Sequence, residues 1–120
     1  MTSQRLPVRR LDTYSLRLFI AVARSGSIAR AAETEHIASS ALSRRLSDLE
    51  HAFGTALLVR SPRGVVLTEA GRRVFERGMQ IDDELQGLVR EVQEYGDEVR
   101  GTVRLYANMS AVVGFLPEKL

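Results

Sequence analysis

Apolar residues recur along most of this chain at helical spacing, and the points where that spacing breaks divide it into elements. Leu16, Phe19, Ile20 and Ala23 share one face of a helix over about 13–25, with Asp12 placed to cap it and Gly26 to stop it. Ser27 then caps a short second helix from Ile28 to about Thr34, whose adjacent small residues Ala31 and Ala32 permit close packing against another helix. A brief turn through Glu35 and His36 leads to Ile37, which plugs the corner before a third helix runs from Ala38 to Phe53 and ends at Gly54. In that helix Leu42, Leu46, Leu49 and Phe53, four, three and four apart, form the inner face.

The outer face of the third helix has a different chemistry. Ser39, Ser40, Ser43, Arg44 and Ser47 present short hydroxyls and a guanidinium, with no long apolar side chain among them. Serine gives or accepts a hydrogen bond at a base edge, and arginine reads guanine or holds a phosphate, so this face suits the major groove of DNA. A merely solvated amphipathic helix would carry the same pattern; the neighbouring segments favour the first reading. Two short helices, a tight turn and a further helix with a polar outer face make a helix-turn-helix.

Beyond Gly54 the period changes. Leu57-Leu58-Val59-Arg60 and Val65-Val66-Leu67 read as two strands around the turn signal Ser61-Pro62-Arg63-Gly64, with Pro second and Gly fourth as a type I turn prefers. A two-stranded ribbon in this place is a wing, with Arg63 at its tip near Arg60. Both arginines are expected on phosphates, as are Ser27, Arg30 and Ser47; the alternative for the wing arginines is a merely solubilising role or a surface pair with Glu50 or Asp48. Thr68 then caps a helix continuing to about Tyr95, before Gly96. Val74, Gly78, Ile81, Leu85, Leu88, Val92 and Tyr95 alternate along it in steps of four and three, the pattern of a coiled-coil seam facing a second copy. Burial within the monomer is the alternative. Gly78 and Gly87 each weaken the helix by about 1 kcal/mol relative to Ala, which pairing must offset, and Gly78 in the seam would permit close helix approach. Gly101 to Ala107 alternates like a strand, and Ala111 to Pro117 begins another apolar element, together the first piece of a second domain.

Composition narrows the chemistry. A chain of 120 residues is one compact domain, or one small domain plus an extension. It has no cysteine, and its two histidines, His36 and His51, belong to no ligand cluster, so neither a metal nor another cofactor is expected. Adjacent Asp82, Asp83 and Glu84 point in different directions around their helix and cannot converge on a substrate, which argues against an enzyme. Residues 1–73 carry 12 arginines against 6 acidic residues, a surplus of six positive charges, whereas residues 74–120 carry 5 basic against 9 acidic. The basic half is a candidate polyanion binder. Residues 1–10 lack periodicity and read as a flexible basic arm, either a plain disordered terminus or one whose Arg5, Arg9 and Arg10 touch DNA. Arg9-Arg10 ahead of Leu18 to Ala23 has the look of a twin-arginine signal, but Arg17 interrupts the approach and the apolar run is short, so no membrane association and a cytoplasmic location are expected.

With these elements in order, the sequence resembles the LysR-type transcriptional regulators of bacteria, in their amino-terminal DNA-binding region. The residues carrying the resemblance include Leu18 to Ala23, Ser25-Gly26-Ser27, Ala31-Ala32, Ala41-Leu42-Ser43-Arg44, Leu49-Glu50, Leu57, Arg60, Leu67 to Gly71 and Leu116-Pro117. The resemblance implies a mostly α fold: a winged helix-turn-helix of three helices plus a two-stranded wing, followed by a long dimerisation helix. It divides the chain into a basic arm (1–11), a winged helix-turn-helix (12–69), a linker or dimerisation helix (70–97) and the start of a truncated effector domain (98–120). Gly101 to Ala107 would be the first effector strand and Ser110 would sit near a ligand-contacting loop. It further implies duplex DNA as partner, a homodimer on a pseudo-palindromic operator, higher oligomers in a full-length form, and a small-molecule inducer only where an effector domain is present. A rival expectation is an interaction module that forms mixed dimers with a full-length relative and lacks operator affinity of its own. Three positions depart from the family pattern. Ser39-Ser40 replaces its Gln-Pro and removes the usual base-reading glutamine; Glu35 stands where a buried Leu is usual; and Leu58-Val59 stands where Phe is common.

Overall fold

The computed structural model describes residues 11–113, with side chains to residue 105; the basic arm and the segment around Leu116-Pro117 lie outside the described residues. Three helices come first, α1 (Thr13–Ser25), α2 (Ile28–Thr34) and α3 (Ser39–Phe53), followed by strands β1 (Leu58–Ser61) and β2 (Gly64–Leu67) and a long helix α4 (Glu69–Val113). This is the expected winged helix-turn-helix with its long trailing helix.

Local chemistry sets the helix ends. The Asp12 carboxylate accepts the Ser15 N–H at 2.6 Å and caps α1, and the Ser27 hydroxyl accepts the Arg30 N–H at 3.1 Å and caps α2. The turn between α2 and α3 is a Schellman motif. Ile37 N–H reaches back to Ala32 O at 3.0 Å and His36 N–H to Glu33 O at 3.3 Å, while His36 takes the left-handed conformation, φ 58°, that glycine usually fills. Gly54 ends α3 in the same manner at φ 73°, with Thr55 N–H donating to Glu50 O at 3.2 Å.

The core forms where α1 meets α2 and α3. Leu18, Phe19, Val22, Ala31, Ala32, Leu42, Leu46, Leu49, Leu57 and Leu58 make one buried cluster, with Ile37 packed at its edge as the corner residue. Leu18 and Val22 join the face that Leu16, Phe19 and Ile20 define, so α1 is buried over a wider arc than its strict spacing suggests. Phe53 shares the leucines' face but belongs to the last turn before Gly54 and stays 40% exposed; Ala52 is buried instead.

Strands β1 and β2 pair antiparallel, with Leu58 opposite Leu67, Val59 opposite Val66, Arg60 opposite Val65 and Ser61 opposite Gly64. Three joints fix this wing to the helices. Glu50 on α3 accepts the N–H groups of Leu57 and Leu58 on one carboxylate oxygen, at 2.7 and 3.1 Å. Val65 N–H donates to Gly26 O at 3.0 Å, and the approach is so close that a Cβ at Gly64, where φ is 133°, would stand 2.5 Å from that oxygen. Thr68 accepts the Gly71 N–H at 2.9 Å as the cap of α4, and its hydroxyl donates to Ala56 O at 2.8 Å.

The chain divides into two compact units, Met1–Asp82 and Asp83–Leu120, and α4 contributes to both. In the first, Val74 packs against the core and Gly78 lies against Leu16 and Ile20 of α1, where a Cβ would meet Leu16 Cδ1 at 3.0 Å. The close approach that Gly78 permits is therefore to α1 of its own chain. In the second, Leu88, Val92 and Tyr95 are 56%, 58% and 68% exposed. The helix does not stop at Gly96. Residues 101–107, expected as a strand, are helical, and Ser110 lies in the same helix. Val92, Tyr95, Val99, Thr102 and Tyr106 continue the three-four spacing, and Arg100 pairs with Asp97 one turn earlier. A strand needs a neighbour to accept its hydrogen bonds, whereas a helix satisfies them internally. Among the described residues, no strand is placed to pair with this segment.

The glycines predict opposite outcomes. A Cβ at Gly71 would overlap the Leu57 carbonyl, so Gly71→Ala should destabilise the chain by about 2 kcal/mol or more. Gly87, whose Cβ would meet nothing nearer than Arg90 Nη2 at 4.0 Å, should gain about 1 kcal/mol as Ala. Denaturant unfolding of the two variants checks both signs.

Candidate nucleic-acid interface

Burial of the α3 leucines leaves Ser39, Ser40, Arg44 and Ser47 exposed and Ser43 half-buried, all on the side away from the core. The five positions fall at i, i+1, i+4, i+5 and i+8, so they form one continuous strip along two turns of helix. Arg44 makes no hydrogen bond or ion pair to another described residue. Ser47 offers its carbonyl to His51 Nδ1 at 3.2 Å.

The wing meets this strip. Arg60 extends from β1 and donates from Nη1 to Ser43 Oγ at 2.7 Å, so the wing arginine is partnered with the hydroxyl of α3 rather than with Glu50 or Asp48. Glu50 is already engaged by the backbone of Leu57 and Leu58. Arg63 occupies the two-residue loop Pro62-Arg63; its backbone N–H donates to Ser61 Oγ at 3.2 Å and its side chain is exposed. Neither loop residue has a positive φ, in keeping with the type I turn expected there.

Ser27 and Arg30 at the start of α2 come together with Ser39 at the start of α3. The three line an open groove of about 480 Å³ with Ala29, Ala32, Glu33 and Ile37. Ser27 Oγ serves as the α2 cap, and its backbone carbonyl accepts the Ser25 hydroxyl at 2.9 Å. The nine polar residues anticipated from the sequence thus fall on three adjoining pieces of surface: the α2–α3 groove, the outer strip of α3 and the wing.

Two residues outside these nine orient the surface. Arg45, next to Arg44, turns the other way: its guanidinium lies 4.6 Å over the Tyr14 ring, donates to Ser15 Oγ at 3.1 Å and pairs with Asp12 at 3.6 Å. The signal available in sequence was that Arg45 lies about 100° further round the helix than Arg44, off the edge of the strip and toward the buried face of Leu42 and Leu49. Glu50 is the other, since its carboxylate organises the first residues of β1.

Comparison with known proteins places this geometry. Residues 14–72 match the model of the bacterial regulatory helix-turn-helix proteins of the LysR family. The chain carries a LysR-family DNA-binding domain. It is 34% identical over 103 residues to YfeR of Shigella flexneri, an HTH-type transcriptional regulator whose function is uncharacterised, an alignment covering 86% of this chain and 33% of that protein. Among solved structures it is similar to the BenM DNA-binding domain bound to catB site 1 DNA, with TM-score 0.67 and 29% identity over 69% of this chain and 92% of that one. It is also similar to the CbnR DNA-binding domain in complex with DNA, with TM-score 0.60 and 36% identity over 77% of this chain and 98% of that one. The chain spans about a third of the length of the curated relatives it matches. The matched family is one of bacterial regulatory helix-turn-helix proteins. Among the described residues no helix is long and apolar enough to cross a membrane, and no group of three or more His, Cys, Asp or Glu is placed to hold a metal ion.

The cap that orients α1 also links stability of this LysR-family domain to pH. The Ser15 backbone N–H, helped by the Ser15 hydroxyl and the Arg45 charge and opposed by partial desolvation, holds the Asp12 carboxyl below its ordinary value of 3.8. A carboxyl lowered on folding stabilises the fold above its unfolded pKa, and that contribution is lost as pH falls through the folded value. Asp12→Asn should therefore be less stable than the parent at neutral pH, and the gap should close below about pH 4. Thermal unfolding of both proteins across pH 2–7 checks this.

Proposed function

We propose that this protein is a transcriptional regulator that reads a pseudo-palindromic operator in duplex DNA as a homodimer. The observation that carries the reading is the outer strip of α3, tied to the wing through Arg60 and Ser43 at 2.7 Å, on a domain similar to ones solved on DNA. α3 enters the major groove, with Ser39, Ser40, Ser43 and Arg44 at or near base edges. Ser27, Arg30, Ser47, Arg60 and Arg63 hold phosphates on either side. Ser39-Ser40 at the head of α3 replaces longer amide chemistry with short hydroxyls, so the operator differs from those read through glutamine. The surplus of positive charge in residues 1–73 supports the same partner.

Pairing is assigned to the exposed part of the α4 stripe. Ile81, Leu88, Val92 and Tyr95, with the half-buried Leu85, face a second copy, and Val74 and Gly78 brace the base of the helix on α1. A two-fold axis then sets two recognition helices in successive major grooves about 34 Å apart. Residues 98–120 are the junction with an effector domain, which would supply inducer binding and higher assembly in a full-length form. The protein acts in the cytoplasm.

The proposed roles separate two variants. Arg63→Ala should weaken binding on every sequence and flatten the slope of log affinity against log salt by about one, whereas Ser40→Ala should alter preference at one or two base positions. Binding to a randomised DNA library across a salt series reads both, and equal loss on all sequences for both variants refutes the division of roles. A further check is association state. Leu88→Glu together with Val92→Glu should turn a dimer into a monomer in sedimentation, and its inverted-repeat preference should vanish with it. A chain that pairs only with a longer relative and has no operator affinity alone would point to the interaction-module reading instead.

A further inference from the structure

A serine hydroxyl is an ambiguous reader of DNA. It carries one proton to donate and two lone pairs to accept with, so by itself it suits a base edge of either polarity. Ser43 is not in that position. Its Oγ accepts from Arg60 Nη1 at 2.7 Å, and because a guanidinium has donors and no acceptor, the direction of this bond is fixed. Nor is the Ser43 proton spent on its own helix. Thr34 back-bonds to the carbonyl four residues earlier, Arg30 O, at 3.0 Å, whereas among the described residues no acceptor takes the Ser43 proton. Ser43 is only half-buried and lies on the outer strip of α3.

We propose that Arg60 acts as a positioning residue that biases Ser43 toward donating its hydrogen bond, so that Ser43 favours an acceptor on the major-groove edge and discriminates against cytosine at the base it faces. The inference rests on α3 entering the major groove and goes further, by assigning polarity to one contact. Guanine offers N7 and O6, adenine N7 and thymine O4 as acceptors, while cytosine presents only its N4 amine, a donor. The lone pair that Arg60 leaves on Ser43 could still accept from that amine, but the guanidinium charge weakens it as an acceptor and the Ser43 proton finds no partner there. Arg60 keeps four further N–H groups, enough to hold a phosphate while one N–H orients Ser43. The charge on the guanidinium also polarises the hydroxyl and strengthens the bond it donates.

The test uses the full 120-residue chain and a randomised duplex library, comparing the parent with Ser43→Ala, Arg60→Met and the double variant, each first shown to unfold at the parent's midpoint temperature. Arg60→Met keeps the aliphatic stem and removes the donors. The expected result is a position in each half-site at which the parent depletes cytosine by about fivefold, the worth of one hydrogen bond. Ser43→Ala and Arg60→Met should each restore cytosine at that same position, and the double variant should restore it no further than Ser43→Ala alone. If Ser43→Ala relaxes the position but Arg60→Met lowers affinity evenly and leaves the depletion intact, Arg60 is a phosphate contact only and the inference is overturned while sequence reading stands. A Ser43-dependent position that favours cytosine overturns it as well. If the parent shows no preference at any position, sequence reading by α3 fails, and the inference falls with it.

Discussion

The burial of three leucines on α3 is the constraint from which the interface follows. Leu42, Leu46 and Leu49 are sealed against Leu18, Phe19 and Val22 of α1, and because a helix is a rigid rod of side chains at fixed angles, burying one face dictates the other. Truncating one such leucine in a core this small would typically cost about 2–5 kcal/mol, a large share of the stability of a small domain. The orientation of Ser39, Ser40, Ser43, Arg44 and Ser47 is therefore held by the same energy that holds the domain together. None of these side chains belongs to the buried core, so packing leaves their chemistry free to be set by what they bind.

The wing depends on a different kind of contact. Its four-residue strands could not persist alone in water, and each of its ends is tied to backbone or to a charged acceptor. Glu50 gathers the two N–H groups that open β1, Gly26 takes the N–H of Val65, and Leu57 O accepts from Thr68 N–H at 3.0 Å where α4 begins. These joints are polar and short, so they define position more sharply than apolar packing does. They bring Arg60 to Ser43, and in this way a residue 17 positions later in sequence becomes part of the α3 surface.

Much of this architecture was legible in the residues. Caps at Asp12, Ser27 and Thr68, stops at Gly26 and Gly54, the leucine stripe of α3 and the Ser61–Gly64 turn are local signals, and each produced the element it announces. What could not be read was set by partners distant in sequence. Val74 and Gly78 carry the same spacing as Leu88 and Val92, and nothing in periodicity tells that α1 covers the first pair. The alternation of Val103 and Leu105 competes with the three-four spacing of Val99, Thr102 and Tyr106, and strand or helix is then decided by whether a neighbouring strand is there to pair with. Arg44 and Arg45 look alike in sequence, yet only Tyr14, Ser15 and Asp12 make Arg45 an internal brace.

That division of labour between adjacent arginines bears on how a surface made of serines can discriminate at all. Serine side chains are short, so a reading helix that uses them must sit close to the bases, and a small rotation would carry every hydroxyl out of range. Arg45 resists such rotation from one side through its contacts with α1, and Arg60 from the other through Ser43. Each is a partly exposed polar contact of modest strength, so neither contributes much to stability. Their effect is on angle: a hydroxyl that must meet a base edge at about 2.8 Å tolerates little error, and two braces on opposite flanks of α3 restrict the motion that would introduce it. Long side chains such as glutamine can absorb that error by changing rotamer. A helix that replaces them with serine gives up the slack and relies on its own placement instead.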